Sequence, residues 1–113
     1  STKSNAFQKI QDAFKDVSFS SLILISDTSI TCINAINKEK IQGVCLGPQE
    51  AIMGLQKVFT SFSFCCFRIF EKQMSSGTIL IFVKTFVFEH NENYGMNAYF
   101  EINNGKIITI AIE

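Results

Sequence analysis

The Asn103-Asn104-Gly105 step near the C-terminus limits what this chain can become more than any other stretch. Asn-Gly favours a type I′ turn, which needs positive φ at both central residues and closes two strands into a tight hairpin. Alternating segments flank it, 94–102 before and 106–112 after, and a third strand-like run, 78–89, precedes them. Residues 77–113 therefore read as three consecutive antiparallel strands. Such a sheet carries a wide apolar face that must be covered by something.

The alternation assigns faces. In 94–102, Met96, Ala98, Phe100 and Ile102 alternate with Asn97, Tyr99 and Glu101. The first set has the stronger claim to a core, so Tyr99 and Glu101 are expected outside. In 78–89 both faces are apolar, with Leu80, Phe82, Phe86 and Phe88 on one and Ile79, Ile81, Val83 and Val87 on the other. A strand of that kind is covered on both sides. The phenylalanine face is expected to turn inward, so that Phe62, Phe64, Phe82, Phe86 and Phe100 line the interior as a possible apolar pocket. Ile79, Ile81, Val83, Val87 and Tyr99 are then the surface open to a partner.

Upstream, Asn5 with Gln8 reads as a capping box, and Phe7, Ile10 and Phe14 recur at helical spacing, which predicts an amphipathic helix of about three turns. Residues 19–25, FSSLILI, fit a short helix or a buried strand equally. Residues 26–29 have turn chemistry, 30–36 read as a strand and 41–46 as its hairpin partner. Gly47-Pro48-Gln49-Glu50 opens a second helix, with proline at the first position and glutamate at the positive end of the dipole. Ile52, Leu55 and Phe59 set its buried stripe, and Gly54 suggests a close approach to the sheet. Residues 61–72 read as a long strand whose alternation breaks at Cys65-Cys66, where a β-bulge is expected. Neighbours in a strand face opposite ways, so these two thiols are expected on opposite faces.

Composition narrows the function classes. A chain of 113 residues that is 47% hydrophobic makes one domain with its own core. Ten basic and ten acidic residues cancel, so the basic footprint of a nucleic-acid binder is missing. Little net charge keeps copies apart, which permits self-association. The four cysteines form no CxxC pair and His90 is the one histidine, a poor set for a metal site. No cofactor is implied, and the cysteines read as free thiols in a reducing compartment. Residues 1–5 are polar and no apolar run approaches the ~18 residues of a membrane span. These features point to the cytoplasm or nucleus, with no membrane partner.

The element order is helix, short segment, hairpin, helix, then a curved meander of long strands. It resembles the nuclear transport factor 2-like superfamily, the cone-shaped α+β fold shared with SnoaL-type cyclases and ketosteroid isomerase. "AFQKIQDAFKD" with "FSSLILISDTSITCI" is similar to the first helix, second helix and first strand. "KIQGVCLGPQEAIMGLQKVF" matches the helix that leans on the sheet, and "GMNAYFEINNGKIITIAIE" the closing hairpin. The resemblance implies a curved antiparallel sheet of about five to six strands wrapped around two to three helices. In the isomerase branch a tyrosine in the first helix and an aspartate in the first strand do the chemistry. This chain offers Gln8 or Gln11, and Cys32 or Asn34, at the matching places.

Two functional readings follow. The first is a non-enzymatic module that forms a homodimer or heterodimer through its sheet, with nucleocytoplasmic transport the most specific role the resemblance implies. The second is a small-molecule site or an isomerase/dehydratase-type enzyme in the apolar cone, with Tyr94, Tyr99, Glu101 or His90 at its mouth.

Overall fold

The computed structural model describes residues 3–34, 41–87 and 95–113. Helix α1 spans Asn5–Asp16. Its cap is Ser4, one residue before the expected Asn5. Ser4 Oγ accepts the Phe7 N–H at 3.1 Å and donates to the Glu71 carboxylate. Serine wins because its hydroxyl satisfies a free helix amide and also brings a negative charge to the positive end of the dipole. The helix stops at Val17, in the left-handed region at φ 49°, where the Ser18 N–H returns to the Ala13 carbonyl at 2.9 Å.

The ambiguous FSSLILI segment is a 3₁₀ helix, Ser20–Ile25. Phe19 and Leu22, three residues apart, are both fully buried, a spacing that a 3₁₀ turn places on one side and a strand does not. Strand β1, Ser26–Asn34, follows directly, so the turn expected at 26–29 is extended chain instead. The Ser26 hydroxyl, which made the segment look like a turn, donates to the Leu22 carbonyl at 2.7 Å. Strand β2 is Ile41–Leu46. Helix α2, Pro48–Ser61, starts where expected, with Gly47 as its cap, and buries Ala51, Ile52, Leu55 and Phe59. It runs further than expected, so the strand predicted from residue 61 begins only at Cys66.

Four more strands complete the sheet: β3 Cys66–Gln73, β4 Ile79–Phe86, β5 Asn97–Asn103 and β6 Lys106–Ile112. The order is β2-β1-β6-β5-β4-β3, a curved sheet that does not close. The β1–β6 pair is parallel and the others antiparallel. The β5–β6 hairpin turns at Asn104 and Gly105, with φ of 53° and 75°. The expected bulge is not inside a ladder, since β3 pairs with β4 in one unbroken register. The irregularity sits at the entry to β3. Cys66 is the register partner of Phe86, and the Cys65 N–H also donates to the Phe86 carbonyl at 2.9 Å, so two residues address one.

The helices lie on one side of the sheet, and an aromatic cluster joins the two layers. Phe14 packs edge-on against Phe19 and Phe59, both with ring centroids at 4.9 Å. It also meets Phe67 at 5.8 Å, Phe100 at 6.3 Å and Phe64 at 6.4 Å. This cluster corrects the face assignment of β4. Ile81 and Val83 are 0% and 1% exposed, in the core, whereas Phe82 is 41% exposed on the other face. Phe86 shares the Phe82 face by alternation and is half-buried. The reason is volume. Phe14 meets Phe67 of β3 and Phe100 of β5, the strands on either side of β4, and a close-packed interior between such rings suits smaller, β-branched side chains.

Thr85 occupies the last inward position of β4 and is fully buried. Its Oγ1 donates to the Met96 carbonyl at 2.6 Å and accepts the Met96 N–H at 3.1 Å, which satisfies the hydroxyl within the core. This close crossing explains Gly95, where a Cβ would stand 1.9 Å from the Thr85 carbonyl oxygen.

Gln56 on α2 ties the helical layer together. Its Oε1 accepts the Phe19 N–H at 2.8 Å, and its Nε2 donates to the Val17 carbonyl and Thr60 Oγ1, both at 2.9 Å. Gln56→Ala leaves two half-buried backbone groups at the α1 exit without those partners. We expect it to lower stability by about 2 kcal/mol in urea unfolding, with no change in the slope of the transition.

Candidate functional site

Two surfaces carry features that the core does not need. The first is the outer face of the sheet. The registers of three adjacent strand pairs place Phe70 beside Phe82, Phe82 beside Tyr99, and Tyr99 beside Ala111. These residues form one apolar stripe across β3, β4, β5 and β6. Phe70 is 54% exposed, and the Phe82 and Tyr99 rings are in contact at 5.0 Å. A shallow hollow of about 330 Å³ lies along the stripe, with Lys84, Asn97 and Glu113 on its border.

Polar rows flank the stripe. On one side the register runs Arg68, Lys84, Asn97, the last of which exchanges both backbone hydrogen bonds with Glu113 at 2.8 and 3.0 Å. Positive charge therefore sits at the β3–β4 end of this row and negative charge at the β6 end. On the other side run Lys72, Leu80, Glu101 and Thr109. The Tyr99 hydroxyl donates to Glu101 Oε1 at 2.6 Å. Burial first, then the hydrogen bond and charge of Glu101, push the Tyr99 phenol above the usual tyrosine range. It stays a neutral donor at physiological pH and does not act as a base.

The second surface is a groove of about 400 Å³ between α2 and the β2, β1 and β6 strands. Its described walls are Leu46, Ala51, Leu55, Val58, Ile110 and Ile112, with Cys32 and Ile33 from β1. Gly54 lines it too. A Cβ at Gly54 would meet nothing within 4 Å, so this glycine leaves space open and does not mark the expected close approach to the sheet. Glu50 and Lys57 border the groove. The Cys32 thiol is half-buried there, and burial together with Cys45 raises its pKa, so it stays protonated and a poor nucleophile.

The residues expected as one partner surface are thus divided. Ile81 and Val83 are core, Ile79 and Val87 are half-buried, and Tyr99 lies in the outer stripe. The residues expected to line a pocket divide as well. Phe100 is fully buried at the aromatic cluster, Phe64 packs against it, Phe62 is half-buried beyond the end of α2, and Phe82 and Phe86 are on the outer side. None of these five borders the groove under α2. His90 and Tyr94 lie outside the described residues. Sequence reasoning missed Phe70 and Gly95, and singled out Gly54 for a close approach where it instead leaves space open. Phe70 was detectable, since it alternates with Arg68 and Lys72, both exposed outer positions. Among the described residues, no cluster of three or more His, Cys, Asp or Glu is placed to hold a metal, and no helix is long and apolar enough to cross a membrane.

No family model matches the chain, and no curated protein matches it in sequence. Solved structures do match its shape. A DUF4783 family protein from Bacteroides ovatus superposes with a TM-score of 0.65 at 15% identity, over 92% of this chain and 90% of that one. A steroid delta-isomerase from Pseudomonas aeruginosa gives 0.61 at 14% identity, over 97% and 79%. An NTF-2 like protein of unknown function from Burkholderia xenovorans gives 0.56 at 16% identity, over 96% and 78%. The chain has the nuclear transport factor 2-like fold. At these identities the likeness is one of fold. The family cone corresponds here to the curved sheet with α1, the 3₁₀ helix and α2 on its inner side.

Proposed function

We propose that this nuclear transport factor 2-like domain is a non-enzymatic binding module that pairs with a second copy of itself through the outer face of the sheet. The observation that carries this reading is the Phe70–Phe82–Tyr99–Ala111 stripe with its polar borders. An apolar centre with aromatic anchors inside a charged rim is the anatomy of a protein interface.

The register favours a self-pair in particular. A two-fold axis lying in the face, parallel to the strands and between β4 and β5, sets Phe70 against Ala111 and Phe82 against Tyr99 of the other copy. Large side chains then meet small ones at the edges, and rings meet rings in the centre. The same operation brings Arg68 over Glu113, joining the opposite ends of the charged row. The zero net charge of the chain opposes such pairing little. A paired module of this kind suits the carrier roles that the fold resemblance implies, nucleocytoplasmic transport among them.

Sedimentation equilibrium tests the self-pair. Wild type is expected to run as a dimer at micromolar concentration, and Phe82→Asp to weaken association by at least ~30-fold while keeping the wild-type circular dichroism. A wild-type monomer sinks the self-pair, and a monomer that captures a different chain through Phe82 makes the module heterodimeric.

The groove under α2 supports a second reading, an apolar small-molecule site. Its volume lies in the range of ligand pockets, and Gly54 keeps it open. Gly54→Phe is expected to fill it and abolish the fluorescence enhancement of an apolar dye such as 1-anilinonaphthalene-8-sulfonate. Equal enhancement in both proteins removes this reading.

A further inference from the structure

Cys65 and Cys66 depart from what adjacent strand residues do. In a regular strand their side chains point to opposite faces. Here Cys65 lies just before β3, and its amide shares the Phe86 carbonyl at which Cys66 is registered. This two-against-one entry turns both side chains to one side, as a bulge does. Both cysteines are exposed, and their Sγ atoms are 3.0 Å apart with one thiol donating to the other. The other two cysteines do not converge in this way. Cys32 is registered with Val44 and Cys45 with Thr31, which places their side chains on opposite faces.

We propose that Cys65 and Cys66 form a vicinal dithiol site that chelates trivalent arsenic compounds, with both sulfurs on one arsenic centre. The separation suits this class better than a tetrahedral metal. Zinc–sulfur bonds near 2.3 Å at tetrahedral angles need sulfurs about 3.7 Å apart and two further ligands. No third His, Cys, Asp or Glu among the described residues completes such a set. A pyramidal trivalent centre needs only the two sulfurs and the substituent it already carries.

The protonation state fits as well. The hydrogen bond between the two thiols is the largest cause that raises the Cys66 pKa, so Cys66 presents a thiol near neutrality. Two thiols condense with an organic arsenic(III) oxide without any oxidant. Two S–H bonds and the arsenic–oxygen double bond break, two As–S bonds form, and both protons leave with the oxygen as one water. Sulfur and arsenic keep their oxidation states.

Intact mass spectrometry of the reduced protein with phenylarsine oxide tests the site. One adduct per chain is expected, with loss of one water. It should resist excess 2-mercaptoethanol, a monothiol, and be removed by dithiothreitol, a dithiol. Cys65→Ser and Cys66→Ser should each weaken capture on the order of 100-fold, because the second sulfur no longer acts at high effective concentration. Cys45→Ser, which removes the exposed single thiol, should leave capture unchanged. Since Cys65 and Cys66 are exposed, both serine variants are expected to keep the wild-type circular dichroism. Full capture by either of them, stripping by the monothiol, or an adduct that maps to Cys45 or Cys32 overturns the proposal.

Discussion

Phe14 sits where the two layers of this protein meet, and the contacts of its ring decide more than its own burial. Phe19, Phe59, Phe64, Phe67 and Phe100 all pack within ring-contact distance of it. These partners come from the α1 exit, from α2, from the connection into β3 and from two strands. The edge-on and tilted contacts of these rings set how α1 and α2 lie on the sheet. A cluster of this size leaves limited room on the strand it faces. Behind that cluster β4 presents Ile81, Val83 and Thr85 inward and carries Phe82, with Lys84, on the outer face.

The outer stripe is thus a consequence of how the core is filled. With Phe82 outside, the ladder registers bring it into line with Phe70, Tyr99 and Ala111. The charged rows follow from the same registers. One constraint inside the molecule therefore produces a patterned surface on its far side, and the partner-binding reading rests on that pattern. The groove under α2 has a different origin. It exists because Gly54 and Ala51, both small, face the β1–β6 strands where a larger residue would close the gap.

Much of the fold was legible in the sequence because local chemistry and global order agree. The Asn104-Gly105 turn, the Gly47-Pro48 helix start and the clean alternation of β5 each have a local cause, and each is where the residues place it. The errors fall where the deciding partner is distant in sequence. Within β4 the one signal is Lys84, a charge that alternates with Phe82 and Phe86 and marks their face as the outer one; the weight of the phenylalanines hides it, and the rings that fill the inner side, Phe14 and Phe59, come from the helices. Ser26 resembles a turn residue until the Leu22 carbonyl is seen to take its hydroxyl. Ser4 outcompetes Asn5 as a cap because Glu71 arrives from the sheet. Cys65 and Cys66 share a side because the Phe86 carbonyl receives the Cys65 amide. Of the candidate sites, Tyr99 and its outward face could be read from alternation alone, whereas the groove depends on the tertiary placement of α2.

The central claim is that β4 turns Ile81, Val83 and Thr85 toward the phenylalanine cluster and Phe82 outward, and urea unfolding of Phe82→Asp beside Val83→Asp tests it most directly. A charge at a fully buried position has no water or partner and costs several kcal/mol, whereas at a surface position it costs little. The account predicts that Val83→Asp loses the cooperative transition and that Phe82→Asp keeps it. A folded Val83→Asp beside an unfolded Phe82→Asp would contradict the account, because it would put the phenylalanine face of β4 inside the molecule.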